Sequence, residues 1–184
     1  MIGLVSSVLA AVILKNPAFL LVIPAYIIRM KSKNWALIAF YVYLVILAIE
    51  LPNESVYKFA GLKLAVVAGI AVFLALDEVL RGVRFDTEAV VISGILIGSA
   101  LNDYAFMGAL IAVAFYTAYK NFGRALAYLA GWAGVLMLFL YLARDRLSEP
   151  GGQTLAIIGL GLVFLLFAER KDVEFLEVGL FEED

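Results

Sequence analysis

Three places along this 184-residue chain set ionisable or amide side chains against an otherwise apolar background: Lys15-Asn16, Asp77-Glu78 and Asn102-Asp103. Asp77-Glu78 lies near the end of a long apolar stretch. Helical spacing puts Arg81 one turn beyond Asp77 and three residues beyond Glu78, so the guanidinium can compensate either carboxylate. Carboxylates held within a bilayer belong to proton relays or cation pathways by default, whereas near its edge a snorkelling ion pair is the structural alternative. Lys15-Asn16 and Asn102-Asp103 occupy matching tight breaks between short apolar segments. Lys15 and Asp103 are therefore expected to pair or to line a polar mouth, against the plainer reading of two solvated turns. Tyr128, matched by Tyr41, carries a hydroxyl deep in an apolar stretch that needs a partner and could line a cavity. Glu50, just before Leu51-Pro52, reads as interfacial.

These groups lack the spaced carboxylates and supporting polar shell that hydrolysis requires. The chain has no cysteine and no histidine. That removes disulfides, thiolate or imidazole metal sites, His-ligated haem and Cys or His acid–base chemistry. No metal, cofactor or catalytic residue is expected, and the balance leans away from an enzyme.

The chain is 65% hydrophobic and only 16% charged, well above the apolar share of soluble domains, about 45–50%. A single core of this size cannot bury so much apolar surface, so a lipid bilayer must be part of its solvent. A formal net charge of -2 gives no electrostatic footprint for nucleic acid. The lone glutamine, Gln153, beside plentiful Lys, Arg and Glu, is the bias of a heat-adapted organism. Ile2–Leu14 lacks the basic region that precedes a cleaved signal segment, so it is expected to be retained.

Polar punctuation divides the chain into eight apolar stretches, at 2–14, 17–28, 35–51, 60–80, 88–101, 105–118, 125–143 and 154–168. Backbone groups in lipid need internal partners, which predicts helix throughout. A crossing takes about 20 residues; the third, fourth and seventh stretches approach that, and the first, second, fifth and sixth are shorter and occur as adjacent pairs. Each pair is either a hairpin of short helices or one broken helix, giving eight or six crossings. Counting Lys and Arg on alternate loops favours eight, with both termini cytoplasmic in the cell membrane. The expected fold is thus an all-α polytopic integral membrane protein of about eight membrane-embedded helices, within a range of six to eight.

A register of 87 residues relates Ser6 to Ser93, Leu9 to Leu96, Leu14 to Leu101, Ala18-Phe19 to Ala105-Phe106, Lys33-Asn34 to Lys120-Asn121 and Tyr41 to Tyr128. It predicts two weakly similar parallel repeats, 1–80 and 88–168, joined by a loop at 81–87 and followed by an acidic-hydrophobic cytoplasmic tail at 169–184. Gly94 with Gly98, and Ala130 with Gly134, form small-xxx-small faces expected to pack helices within the chain or between copies. The expected function is a small transporter or channel for an ion or small solute, with Asp77, Glu78, Asn102, Asp103, Tyr128 and Lys15 as pathway candidates. The alternative is a non-catalytic subunit or scaffold, partnered by copies of itself or by other membrane subunits.

Overall fold

The computed structural model describes residues 1–83, 85–122, 126–144, 147 and 149–167. Among them the fold is all-helical: α1 (Ile2–Ile13), a 3-10 turn (Pro17–Leu21) running into α2 (Val22–Arg29), α3 (Lys33–Glu50), α4 (Phe59–Arg81), α5 (Thr87–Ser99), α6 (Asp103–Phe122), α7 (Leu126–Leu142) and α8 (Pro150–Phe167). The apolar stretches of the sequence all become helices, and α6 extends several residues beyond its expected span at its C-terminal end. By length and composition two helices, α3 and α4, can cross a membrane.

Local chemistry sets the boundaries. At the end of α1, Lys15 adopts a left-handed backbone (φ 51). Its N–H bonds the Val12 carbonyl and that of Asn16 bonds the Ala11 carbonyl, which is a Schellman closure with lysine where glycine is usual. The Asn16 carboxamide then accepts from the Ala18 N–H at 2.9 Å, and Pro17 opens the next turn with no donor to lose. Asn102 acts alike for α6, accepting from Tyr104 and Ala105. α3 stops where Leu51 precedes Pro52 and turns extended, because the proline ring disfavours a helical neighbour. α4 ends at Gly82 (φ 90), whose N–H returns to the Glu78 carbonyl at 2.8 Å. Asp86 caps α5 through the Ala89 N–H.

The chain forms two compact units, Met1–Pro52 with Lys63–Ala114, and Asn53–Leu62 with Phe115 onward. In the first, α1 buries its small face of Gly3, Ser6, Ser7, Ala10 and Ala11. α4 contributes Val67, Ala71, Leu74, Ala75 and Val79, all buried, with Leu74 and Ala75 lying against Gly3 of α1. Larger buried side chains, Phe19, Phe40, Tyr43, Leu96, Phe106 and Leu110, complete the core.

Contacts at the helix ends fix direction in this unit. The start of α1 meets the ends of α2 and α4 through Met1, Tyr26 and Glu78, and Arg29 at the end of α2 reaches Val79 near the end of α4. At the opposite end, Asn16 reaches the last carbonyl of α3, Glu50, and Lys63 meets Asp103 at the start of α6. Successive helices therefore alternate in direction from α1 to α6. The first short pair is a hairpin rather than a broken helix.

In the second unit α7 packs on α8. Gln153 is the buried hub of the segment before α4: its carbonyl accepts from the Val56 N–H (3.1 Å), and its amide donates to Ser55 Oγ (3.0 Å) and the Leu147 carbonyl (2.8 Å). Tyr57 donates to the Leu140 carbonyl at 2.8 Å. Gly61 lets the backbone of Ser55 approach closely; a Cβ there would lie 2.1 Å from the Ser55 carbonyl oxygen.

Candidate functional site

Glu78 is the one buried carboxylate among the described residues, and three elements are built around it. It projects from the last turns of α4 toward the start of α1, where the Met1 amino group pairs with Oε1. The Leu4 N–H donates to Oε2 at 3.3 Å. This is one of the first-turn amides that a helix cannot satisfy itself. From α2 the Tyr26 hydroxyl donates to the same oxygen at 2.7 Å. A carboxylate so buried requires compensation, and here an ammonium, an amide and a phenol supply it. Every contact is short enough to matter because α1 lies close to α4: a Cβ at Gly3 would meet the Leu74 carbonyl oxygen at 2.4 Å.

Around this knot, Asp77 pairs with Arg81 at 3.0 Å on the same helix, the i,i+4 arrangement expected from the sequence. Arg29 donates from Nε to the Val79 carbonyl at 2.7 Å and from Nη2 to that of Leu80. It thereby satisfies carbonyls that the end of α4 leaves open. An apolar cleft of about 460 Å³ opens beside these groups, between the start of α1, α2 and the link after α4.

The remaining sequence candidates lie elsewhere. Asn102 is spent on capping α6. Asp103 pairs with Lys63 at 2.7 Å, not with Lys15, which makes no ion pair among the described residues. The expected Lys15–Asp103 pair is thus replaced: Lys63 opens α4 beside the start of α6, whereas the Lys15 backbone is committed to closing α1. Glu50 borders a smaller cleft of about 330 Å³ with Asn16, Pro17 and Ile46. The side chain of Tyr128 and the tail at 169–184 lie outside the described residues. Gly94, Gly98, Ala130 and Gly134 are exposed, and a Cβ at any of these three glycines would meet nothing within 4 Å.

Sequence reasoning missed Tyr26, Arg29, Gly3 and the Leu4 amide. Tyr26 reads as a belt aromatic and Arg29 as a loop charge, yet Tyr26 is buried. The available signal was their spacing: Tyr26 and Arg29 stand three apart, so both fall on one face of α2. Among the described residues no three acidic side chains gather in a way that could hold a metal ion. Comparison with protein-family models, with curated proteins and with solved structures finds no match.

Proposed function

We propose that this chain is a multi-pass membrane protein that carries or conducts an ion or small solute, and that Glu78 is the carboxylate through which it acts. The observation that supports the reading is the burial of Glu78 on α4, a 23-residue apolar helix long enough to span a bilayer. An ionisable group kept at such cost among apolar helices is where a cation or proton would be exchanged. The alternation of helix direction in the first unit and the basic end formed by Arg29, Lys31, Lys33 and Arg81 agree with a membrane topology that keeps this end cytoplasmic. α1, at 12 residues, extends only about 18 Å, short of a hydrocarbon core of about 30 Å. It and its hairpin partner are therefore read as crossing where the bilayer is thinned around them. α1 and α5 are both short, but α2 has 8 residues where α6 has 20, so the two parallel copies are carried by the sequence register alone.

The test is flux through vesicles holding the purified protein, with sodium, potassium and protons followed separately. The wild type is expected to raise the flux of one of them, and Glu78→Gln to abolish that rise while helicity is kept. No flux of any of the three above empty vesicles, or unchanged flux in Glu78→Gln, contradicts the proposal.

A second reading, a scaffold for other membrane subunits, draws on the exposed small faces at Gly94–Gly98 and Ala130–Gly134. Such faces let a partner helix approach closely. Stable co-purification with a membrane partner, lost when Gly94 and Gly98 are enlarged to isoleucine, would favour it.

A further inference from the structure

The cleft beside Glu78 has two chemically distinct parts. Its wall is apolar, formed by Leu4, Ile23, Ile27, Met30, Val83 and Phe85, with Tyr26 and Arg29 at one side. Three of these, Ile27, Met30 and Phe85, are 60%, 87% and 78% exposed, so the wall continues onto the outer surface rather than closing into the core. Its volume, about 460 Å³, falls in the range of ligand-binding clefts, about 300–1,000 Å³.

The polar side of the cleft is cationic. The Arg29 guanidinium spends two of its donors on the Val79 and Leu80 carbonyls, which fixes its plane. An arginine has five N–H donors, so the rest remain for an acceptor that enters the cleft. The carboxylates of this end are already engaged: Asp77 with Arg81, Glu78 with Met1, Leu4 and Tyr26, and Asp86 with the Ala89 amide, while Glu88 in the first turn of α5 is partnered as well. Lys31 follows two residues after Arg29 and, like it, makes no ion pair among the described residues. An anion is therefore favoured here, and the apolar wall asks that it carry a tail.

We propose that this cleft binds an anionic phospholipid, its phosphate on Arg29 and one acyl chain along Ile23, Ile27 and Phe85. The proposal rests on the membrane reading above, but not on transport. A basic pocket between apolar helices at the cytoplasmic face is the setting in which anionic headgroups are selected, and a planar guanidinium matches the geometry of phosphate oxygens. The bound lipid would join the ends of α2 and α4 to the start of α1, the three elements that hold Glu78.

The test measures thermal unfolding and lipid binding of the full chain in a neutral detergent. Phosphatidylglycerol is compared with phosphatidylcholine and with glycerol 3-phosphate, which has the same anionic head and no tail. Phosphatidylglycerol is expected to bind at least tenfold more tightly than phosphatidylcholine and to raise the unfolding midpoint, while glycerol 3-phosphate does neither. Arg29→Gln should remove the preference between the two lipids. Because Arg29 also caps α4, Ile27→Trp is the second variant: it fills the cleft from an exposed position and should weaken both lipids tenfold or more in a folded protein. Equal affinity for the two lipids overturns the proposal, as does binding of glycerol 3-phosphate as tight as that of phosphatidylglycerol. So does an Ile27→Trp protein that binds like wild type. Release of the chain from membranes by alkaline carbonate would instead sink the membrane reading on which the proposal stands.

Discussion

At the scale of single residues, Glu78 and its donors make the sharpest claim. A hydrogen bond to a charged group contributes about 1.5–3 kcal/mol, so Tyr26→Phe should lower stability by about that much. Glu78→Gln should cost about the same or more, because it strips the Met1 ammonium of its counter-charge. The double variant should cost less than the sum, with a coupling of about 0.5–3 kcal/mol. Chemical denaturation in a mild detergent measures all three, and strict additivity would show that the Tyr26 hydroxyl does not act on Glu78. Gln153→Leu is expected to lose about 1–3 kcal/mol by leaving the Val56 N–H and the Leu147 carbonyl without their partner. The sequence made Asp77 and Glu78 conspicuous, since two carboxylates near the end of a long apolar run stand out. It could not separate them. Asp77 faces along its own helix to Arg81, whereas Glu78, about 100° further round, turns inward to α1 and α2. Which of two adjacent side chains points into a core depends on where neighbouring helices lie, and no local pattern records that. Gln153 was equally hidden: its chemistry comes from a segment about a hundred residues earlier.

Among elements, the small residues of α1 and of α5 are the instructive pair. The 87-residue register relates Ser7 to Gly94 and Ala11 to Gly98. Gly94-xxx-Gly98 is the more familiar small-residue signature, yet the close helix approach seen in this unit is made by Gly3 on α1, against Leu74 and Ala75. Gly3→Ala should therefore be strongly destabilising, since the new Cβ would fall 2.4 Å from the Leu74 carbonyl oxygen and backbone gives way least; about 1–3 kcal/mol is expected. Gly94→Ala should be neutral or gain about 0.5–1 kcal/mol from helix propensity alone. A loss at Gly94 as large as at Gly3, in the same unfolding assay, would mean that another helix covers the α5 face. Helix positions themselves were legible, because caps and breakers are local: Asn16 and Asn102 at N-termini, Pro52 after α3, Gly82 after α4, Asp86 before α5. The hairpin form of the first pair was less so. It hangs on the Lys15 backbone closing α1, a conformation that lysine seldom adopts; Lys15→Gly should relieve it and gain up to about 1 kcal/mol.

At the scale of the molecule, the proposed membrane reading rests on composition, and the alternation of the helices would give it a direction. So apolar a chain leaves large side chains such as Ile49, Leu101 and Leu142 strongly exposed, which water would penalise and lipid would not. Alternation of α1 to α6 puts Lys15 and Asn102 at one end of the first unit and Ser32 and Arg81 at the other. The short helices are where sequence length alone says least, because a 12- or 13-residue apolar run can be embedded, spanning at a thinned bilayer, or buried. The cysteine-free chain allows the direct measurement: single variants Lys15→Cys, Asn102→Cys and Ser32→Cys, probed in intact cells with a thiol reagent that cannot cross membranes. The proposed topology predicts labelling of Lys15→Cys and Asn102→Cys in intact cells and of Ser32→Cys only after the membrane is opened. Labelling of Ser32→Cys from outside together with protection of Lys15→Cys, or labelling of all three without regard to the membrane, would contradict it.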